Sequence, residues 1–262
     1  MSDYQFADSL RITIQPNGVL IATLNRPDRL NAFDGTMRHA IHEFLHKVRD
    51  DDDIRAIVLT GAGGNFCSGA DLTAEDRRRW PTGKNEPLFA WCVELLQMPK
   101  PTIAALDGVA AGGGLGMALL CDIRICSTRT RLIPIWTKRA IHPDDLVTWT
   151  LPRLVGYSRA LTWLYLAEDI PILSALDTGL VLQACSSDTL MDEALALADR
   201  LAAGPTKHFA LTKKAVLDGL TRDPKDSAVM EAWAQSQALA SNDFKEGIAA
   251  FREKRPPKFS GD

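Results

Sequence analysis

No stretch of these 262 residues is apolar enough to cross a membrane, because no apolar run approaches the roughly 18 residues that a span needs. The five cysteines, Cys67, Cys92, Cys121, Cys126 and Cys185, are odd in number and form no Cys-x-x-Cys pair. That argues against a disulfide framework or a zinc knuckle and predicts a reducing compartment. No block of basic charge is present either. Lys plus Arg is 30, Asp plus Glu is 33, and the net charge is −3. Nucleic acid and anionic membranes are therefore poor candidate partners. The start, Met1-Ser2-Asp3-Tyr4, lacks a basic flank and an apolar core. It predicts no signal peptide and a cytoplasmic location. Familiar phosphate and nucleophile motifs are missing as well. There is no GxxxxGK followed by Ser or Thr and no GxSxG, and Leu119 stands where a GxGxxG run would need its last glycine. What is present is an ordinary globular composition, 46% hydrophobic, with enough chain to bury a sizeable core.

The first half alternates strands with helices. Leu10 to Ile14 and Val19 to Leu24, joined by Pro16-Asn17-Gly18, read as a hairpin. Met37, Ala40, Ile41, Phe44, Leu45 and Val48 recur at helical spacing, with Asp34 placed to cap that helix. Ile54 to Thr60, Pro101 to Leu106 and Ile123 to Cys126 are nearly continuous apolar runs. Such runs suit a partly parallel sheet covered on both faces. From about Asp144 the pattern is helical to the end, with a weak shift in character near residues 195–205. The fold class expected is α/β: a core over 1–200, then a helical region over 201–262.

Two glycine-rich segments follow buried strands: Gly61 to Leu72, and Asp107 to Gly116. The second runs into a helix. Glycine admits close approach of the backbone to a ligand, and a helix start leaves N–H groups free to meet negative charge. Two such donors aimed at one point make an oxyanion hole. The plainer alternative is a pair of tight turns whose glycines only relieve crowding.

Together these segments resemble the crotonase superfamily, the enoyl-CoA hydratase/isomerase family. The resemblance rests on Leu24-Asn25-Arg26-Pro27 with Leu30-Asn31-Ala32, Phe66 to Leu72, Pro101 to Gly114, Cys121-Asp122-Ile123-Arg124, Leu151 to Gly156 and Gly247 to Arg255. It implies a spiral of ββα units with C-terminal helices that assemble a homotrimer or a dimer of trimers. It also implies an acyl-CoA thioester as substrate, with no separate cofactor and no metal. Carried over by position, the N–H groups of Ala70 and Gly113 would hold the thioester oxygen. Ala32, Ser68, Ala70, Asp71 and Leu72 would meet coenzyme A. Arg26 or Arg29, and Lys254 from a neighbouring subunit, would lie near its phosphates.

The chain departs from the hydratases of that family at both catalytic glutamates: Gly116 and Trp136 occupy their places. Adding water across a double bond needs an acid and a base, and an indole offers only a donor. Asp144 and Asp145 follow closely. In the same register, the pattern is similar to that of the 4-chlorobenzoyl-CoA dehalogenases at Trp136 and Asp144, and of the 6-oxocamphor hydrolases at Asp145. The dehalogenase histidine has no counterpart, since Phe89 stands there. The expectation is isomerase or hydrolase chemistry through Asp144 or Asp145 with Trp136 lining the acyl site. The competing role for the aspartates is a helix cap. The rival functions are a non-catalytic acyl-CoA-binding subunit and a β-diketone C–C hydrolase that needs no CoA.

Other clusters carry less. His39, His42 and His46 share a helix face with only Glu43 as an acidic neighbour in sequence, which reads as solvated with no metal. Cys67 reads as packing, His142 as a surface turn, and Arg77-Arg78-Arg79-Trp80 as a charged loop near the acyl pocket.

Overall fold

The computed structural model describes residues 4–74 and 89–262; Arg77 to Trp80 lie outside them. The hairpin forms as the alternation predicts: β1 (Leu10–Ile14) pairs antiparallel with β2 (Val19–Leu24), Leu10 opposite Leu24. Gly18 makes the turn at φ +83, where a β-carbon would press to 2.6 Å from the Asp53 carbonyl oxygen. Four further strands extend the sheet in parallel: β3 (Ala56–Gly61), β4 (Thr102–Leu106), β6 (Ile123–Ser127) and β8 (Gln183–Cys185). A separate two-stranded parallel sheet joins β5 (Val109–Ala111) to β7 (Arg131–Ile133). The architecture is thus α/β with mixed sheets and C-terminal helices, as expected.

Strand periodicity divides the core in two. Ile57, Leu59, Ala104 and Leu106 face the larger cluster, which includes Met37, Ile41, Phe44 and Val48 of α1 (Gly35–Arg49). Ala56, Val58, Ile103 and Ala105 point the other way, onto Leu190, Ala194, Ala198 and Ala202 of α7 (Leu190–Ala202). Successive side chains leave opposite faces of a strand, so covering both faces demands the unbroken apolar runs seen in the sequence. Asp34 caps α1 by accepting from Met37 N at 2.9 Å, a contact worth about 1 kcal/mol.

Between the sheet strands lie α2 (Ala90–Leu96), α3 (Gly113–Leu120), α4 (Val147–Val155), α5 (Tyr157–Leu166) and α6 (Ile172–Asp177). The chain ends in α8 (Thr206–Gly219), α9 (Pro224–Leu239) and α10 (Asn242–Glu253). These last helices bury little. Met230 is the buried residue of α9, while Val216, Val229, Trp233, Ile248 and Phe251 are exposed. Among the described residues no helix is long and apolar enough to cross a membrane.

The second half is not purely helical, as the sequence suggested. β8 sits within it at the edge of the sheet. Its three residues are only half-buried, so they lack the apolar run that betrays a central strand.

Candidate active site

The two glycine turns are stitched to each other. Phe66 N donates to Asp107 O at 2.8 Å, Cys67 N to Val109 O at 2.9 Å, and Ala111 N to Cys67 O at 2.9 Å. Buried Asn31 fixes the first turn: its amide donates to Ala62 O at 2.8 Å and Asn65 O at 2.6 Å, and its oxygen accepts from Arg26 N at 2.9 Å. Phe33 then pairs with the turn as a strand would, through Phe33 N to Gly69 O and Asp71 N to Phe33 O. That ladder takes up the groups on either side of Ala70 and turns the Ala70 N–H away from Phe33. Gly113 begins α3, where an N–H has no partner within its own helix.

The glycines around these donors have separate reasons. Gly69 adopts φ +93, and a β-carbon there would lie 3.0 Å from Gly113 N, against the donor itself. Gly112 adopts φ +52 to turn the chain into α3. Gly113 and Gly116 make room for Asp145: a β-carbon at 116 would meet Asp145 Cβ at 2.7 Å, and one at 113 would collide with Asp145 Oδ2. The aspartate therefore packs against the face of α3 that Gly116 leaves bare.

Trp136 is buried on a 3₁₀ turn, Ile135–Arg139, and its indole N–H donates to Asp144 Oδ1 at 2.8 Å. Asp145 is 3% exposed. Burial, and then the charge of Asp144, push its carboxyl up to about 8. Cys92 of α2 adds a weak S–H contact to Asp145 Oδ1 at 3.7 Å. Neither aspartate caps a helix. The N-cap of α4 is Leu146, with no side-chain cap, and Asp145 and Leu146 both hold left-handed backbone at φ +51 and +58. Two consecutive non-glycine residues in that region cost on the order of 1–2 kcal/mol each, so packing around them must hold the loop.

A cavity of about 950 Å³ gathers Ala70, Gly113, Trp136, Asp144 and Asp145. Arg29, Ala32, Ser68, Asp71 and Leu72 line it too. Of the two arginines expected near the CoA phosphates, the lining includes Arg29 but not Arg26. Arg26 is spent inside the fold: it donates to Ala32 O at 2.5 Å and Asp71 Oδ2 at 3.1 Å, and approaches Asp34 at 3.3 Å. Asp71 is itself a brace, accepting from Thr73 N and Oγ1, and hydrogen bonds from Thr73 help hold its carboxyl below the usual range. Lys254 ends α10 and does not line this cavity of its own chain. His142 is exposed. Cys67 is fully buried with its thiol pushed up to about 12 by desolvation, which leaves it a packing residue.

The cavity also holds residues that sequence reasoning missed, above all Arg38. Its guanidinium carbon lies 5.1 Å from the Phe33 ring centroid. Arg38 follows Met37 on an amphipathic helix, where a charged residue carries no signal of facing a site.

Residues 14–262 match the sequence model of the enoyl-CoA hydratase/isomerase family. The chain belongs to that family. It is 38% identical over 253 residues to a 1,2-epoxyphenylacetyl-CoA isomerase of Escherichia coli, covering 93% of this chain and 95% of that one. It is 32% identical over 246 residues to a 4-chlorobenzoyl coenzyme A dehalogenase of Arthrobacter, covering 91% and 88%. The solved enoyl-CoA hydratase of Bacillus anthracis superposes with a TM-score of 0.89 at 29% identity, over 97% of this chain and 100% of that one. The protein is thus an acyl-CoA-processing enzyme of the crotonase family. Its relatives span several reactions, so the residues of the cavity must discriminate among them.

Proposed function

We propose that this crotonase isomerises an acyl-CoA thioester by moving a proton between carbons of the acyl chain. The observation that carries the reading is the pair Asp144 and Asp145 beside Gly113 and Trp136, in a cavity where position 116 has no side chain. Coenzyme A lies along Arg29, Ala32, Ser68, Asp71 and Leu72, which places the thioester at the N–H groups of Ala70 and Gly113. Asp144, oriented by Trp136, removes a proton next to the thioester. The electron pair moves onto the thioester oxygen, where two preorganised donors stabilise it. Asp145, protonated near neutral pH, returns a proton at another carbon. The adjacent carboxyls then pass a proton between them to reset. No water or other atom is consumed.

The isomerase relative at 38% identity supports this reading. Hydrolytic dehalogenation is the second reading, favoured by the Trp136–Asp144 bond and the dehalogenase relative. It is weaker because an aryl–enzyme ester needs a base to activate water, and no histidine lines the cavity among the described residues. Assembly completes the proposal. The exposed apolar residues of 201–262 become the contacts of a homotrimer or a dimer of trimers, and Lys254 reaches the CoA phosphates of a neighbouring subunit.

The test sets two substrates side by side: double-bond migration in a 3-enoyl-CoA and hydration of crotonyl-CoA. The expected result is migration faster than hydration by about 10² or more, the usual scale of a missing acid–base pair. Efficient hydration would overturn the reading. Binding without turnover of any acyl-CoA would make the chain a binding subunit instead.

A further inference from the structure

The histidine face of α1 looks solvated in the sequence because its acidic partner is 48 residues away along the chain. Glu94 of α2 comes to it in the fold. His42 Nε2 lies 3.1 Å from Glu94 Oε1, His46 Nε2 lies 3.0 Å from the same oxygen, and the two ring nitrogens are 3.1 Å apart. The three donor atoms make a nearly equilateral triangle. Hydrogen bonding alone serves it poorly, since two neutral rings and one carboxylate oxygen cannot all be paired without two N–H groups crowding one acceptor. Zinc bonds of about 2.0–2.1 Å at angles from right to tetrahedral span donor–donor edges of about 2.9–3.4 Å, the range in which this triangle falls.

Two further observations point to an ion. The histidines are at i and i+4, so one helix presents both rings to one point. The second oxygen, Glu94 Oε2, is buried with no hydrogen-bond partner among the described residues. A buried carboxylate oxygen left unpaired is costly unless a cation sits beside the carboxylate. Arg49 does not supply that charge by a hydrogen bond to the carboxylate; its guanidinium donates to the Glu94 backbone carbonyl at 3.5 Å. His39, on the same helix, takes no part and lies 3.4 Å from Glu43 instead.

We propose that His42, His46 and Glu94 bind a divalent transition-metal ion of the zinc class, with solvent completing the coordination on the exposed His46 side. The ion takes no part in the chemistry at Asp144. It ties α1 to α2, and α2 carries Trp91 against Phe33 (ring centroids 6.3 Å apart) and Cys92 against Asp145. Occupancy therefore steadies one wall of the acyl cavity from outside it.

Titration of tag-free full-length protein with Zn²⁺ by calorimetry is the test, with thermal unfolding alongside. One Zn²⁺ per chain should bind with micromolar affinity, and saturation should raise the Tm by about 5 °C. His46→Ala removes a 63% exposed side chain, so the fold survives, and binding should weaken at least about tenfold. Glu94→Gln should do the same, while His39→Ala should bind as the native protein does. Absence of a one-to-one event in the native protein, or native affinity in His46→Ala, overturns the proposal.

Discussion

The two walls of the candidate cavity differ in how their positions are fixed. On one wall, the N–H groups of Ala70 and Gly113 are set by backbone: a bridge to Phe33, ladder bonds between the two turns, and glycines that admit no side chain. On the other wall, Trp136, Asp144 and Asp145 are set by side chains and a loop in left-handed conformation. Backbone geometry tolerates little substitution, because each glycine of the first wall meets backbone or side-chain atoms where a β-carbon would go. The second wall can exchange residues as long as the space is filled, and here Asp145 packs against bare Gly116. Under the proposed function, one fold would hold a fixed oxyanion site beside replaceable acid–base chemistry.

Substitutions on each wall should break this comparison in different ways. Asp144→Asn removes the proposed base while keeping an acceptor for Trp136. It should lower kcat by about 10³ with little change in CoA affinity, measured by steady-state kinetics and calorimetry. Gly69→Ala strikes the other wall. It places a methyl group against Gly113 N at an unfavourable φ, and should lower kcat/KM by about 10² on every thioester tried.

The smallest effect is on stability. Asp145 has its carboxyl raised to about 8 in the folded chain, against about 3.9 when unfolded. Between those values the folded state holds a proton that the unfolded state has lost. Stability therefore falls as pH rises from about 4 to 8 and levels off above. Asp145→Asn should remove that slope and raise the Tm at pH 8 by about 2–6 °C, read by thermal denaturation. The proposed acid also predicts that native activity declines above about pH 8, where Asp145 no longer carries its proton, and that Asp145→Asn lowers activity at every pH.

The same contrast explains what was legible in the sequence. The hairpin, the Asp34 cap, the parallel strands and both glycine turns follow from local rules, because periodicity and glycine placement report backbone directly. That positions 116 and 136 carry no carboxylate was equally plain, since they are Gly116 and Trp136. Which aspartate is buried was not, because no glycine or asparagine marks the left-handed turn at Asp145 and Leu146 that separates their environments. Arg26 shows what a motif does not report. Its motif marks a site-side turn, yet its guanidinium is consumed by Ala32, Asp34 and Asp71. Cys92 and Glu94 reach their partners across about 50 residues of chain, a distance over which sequence pattern is silent.

Solvent exchange at the acyl chain tests the central claim most directly. In D₂O, native enzyme with a saturated acyl-CoA should wash deuterium into the carbon next to the thioester, followed by NMR, and Asp144→Asn should slow that exchange by about 10³. Exchange that proceeds unchanged in Asp144→Asn would contradict the transfer of acid–base chemistry to this loop.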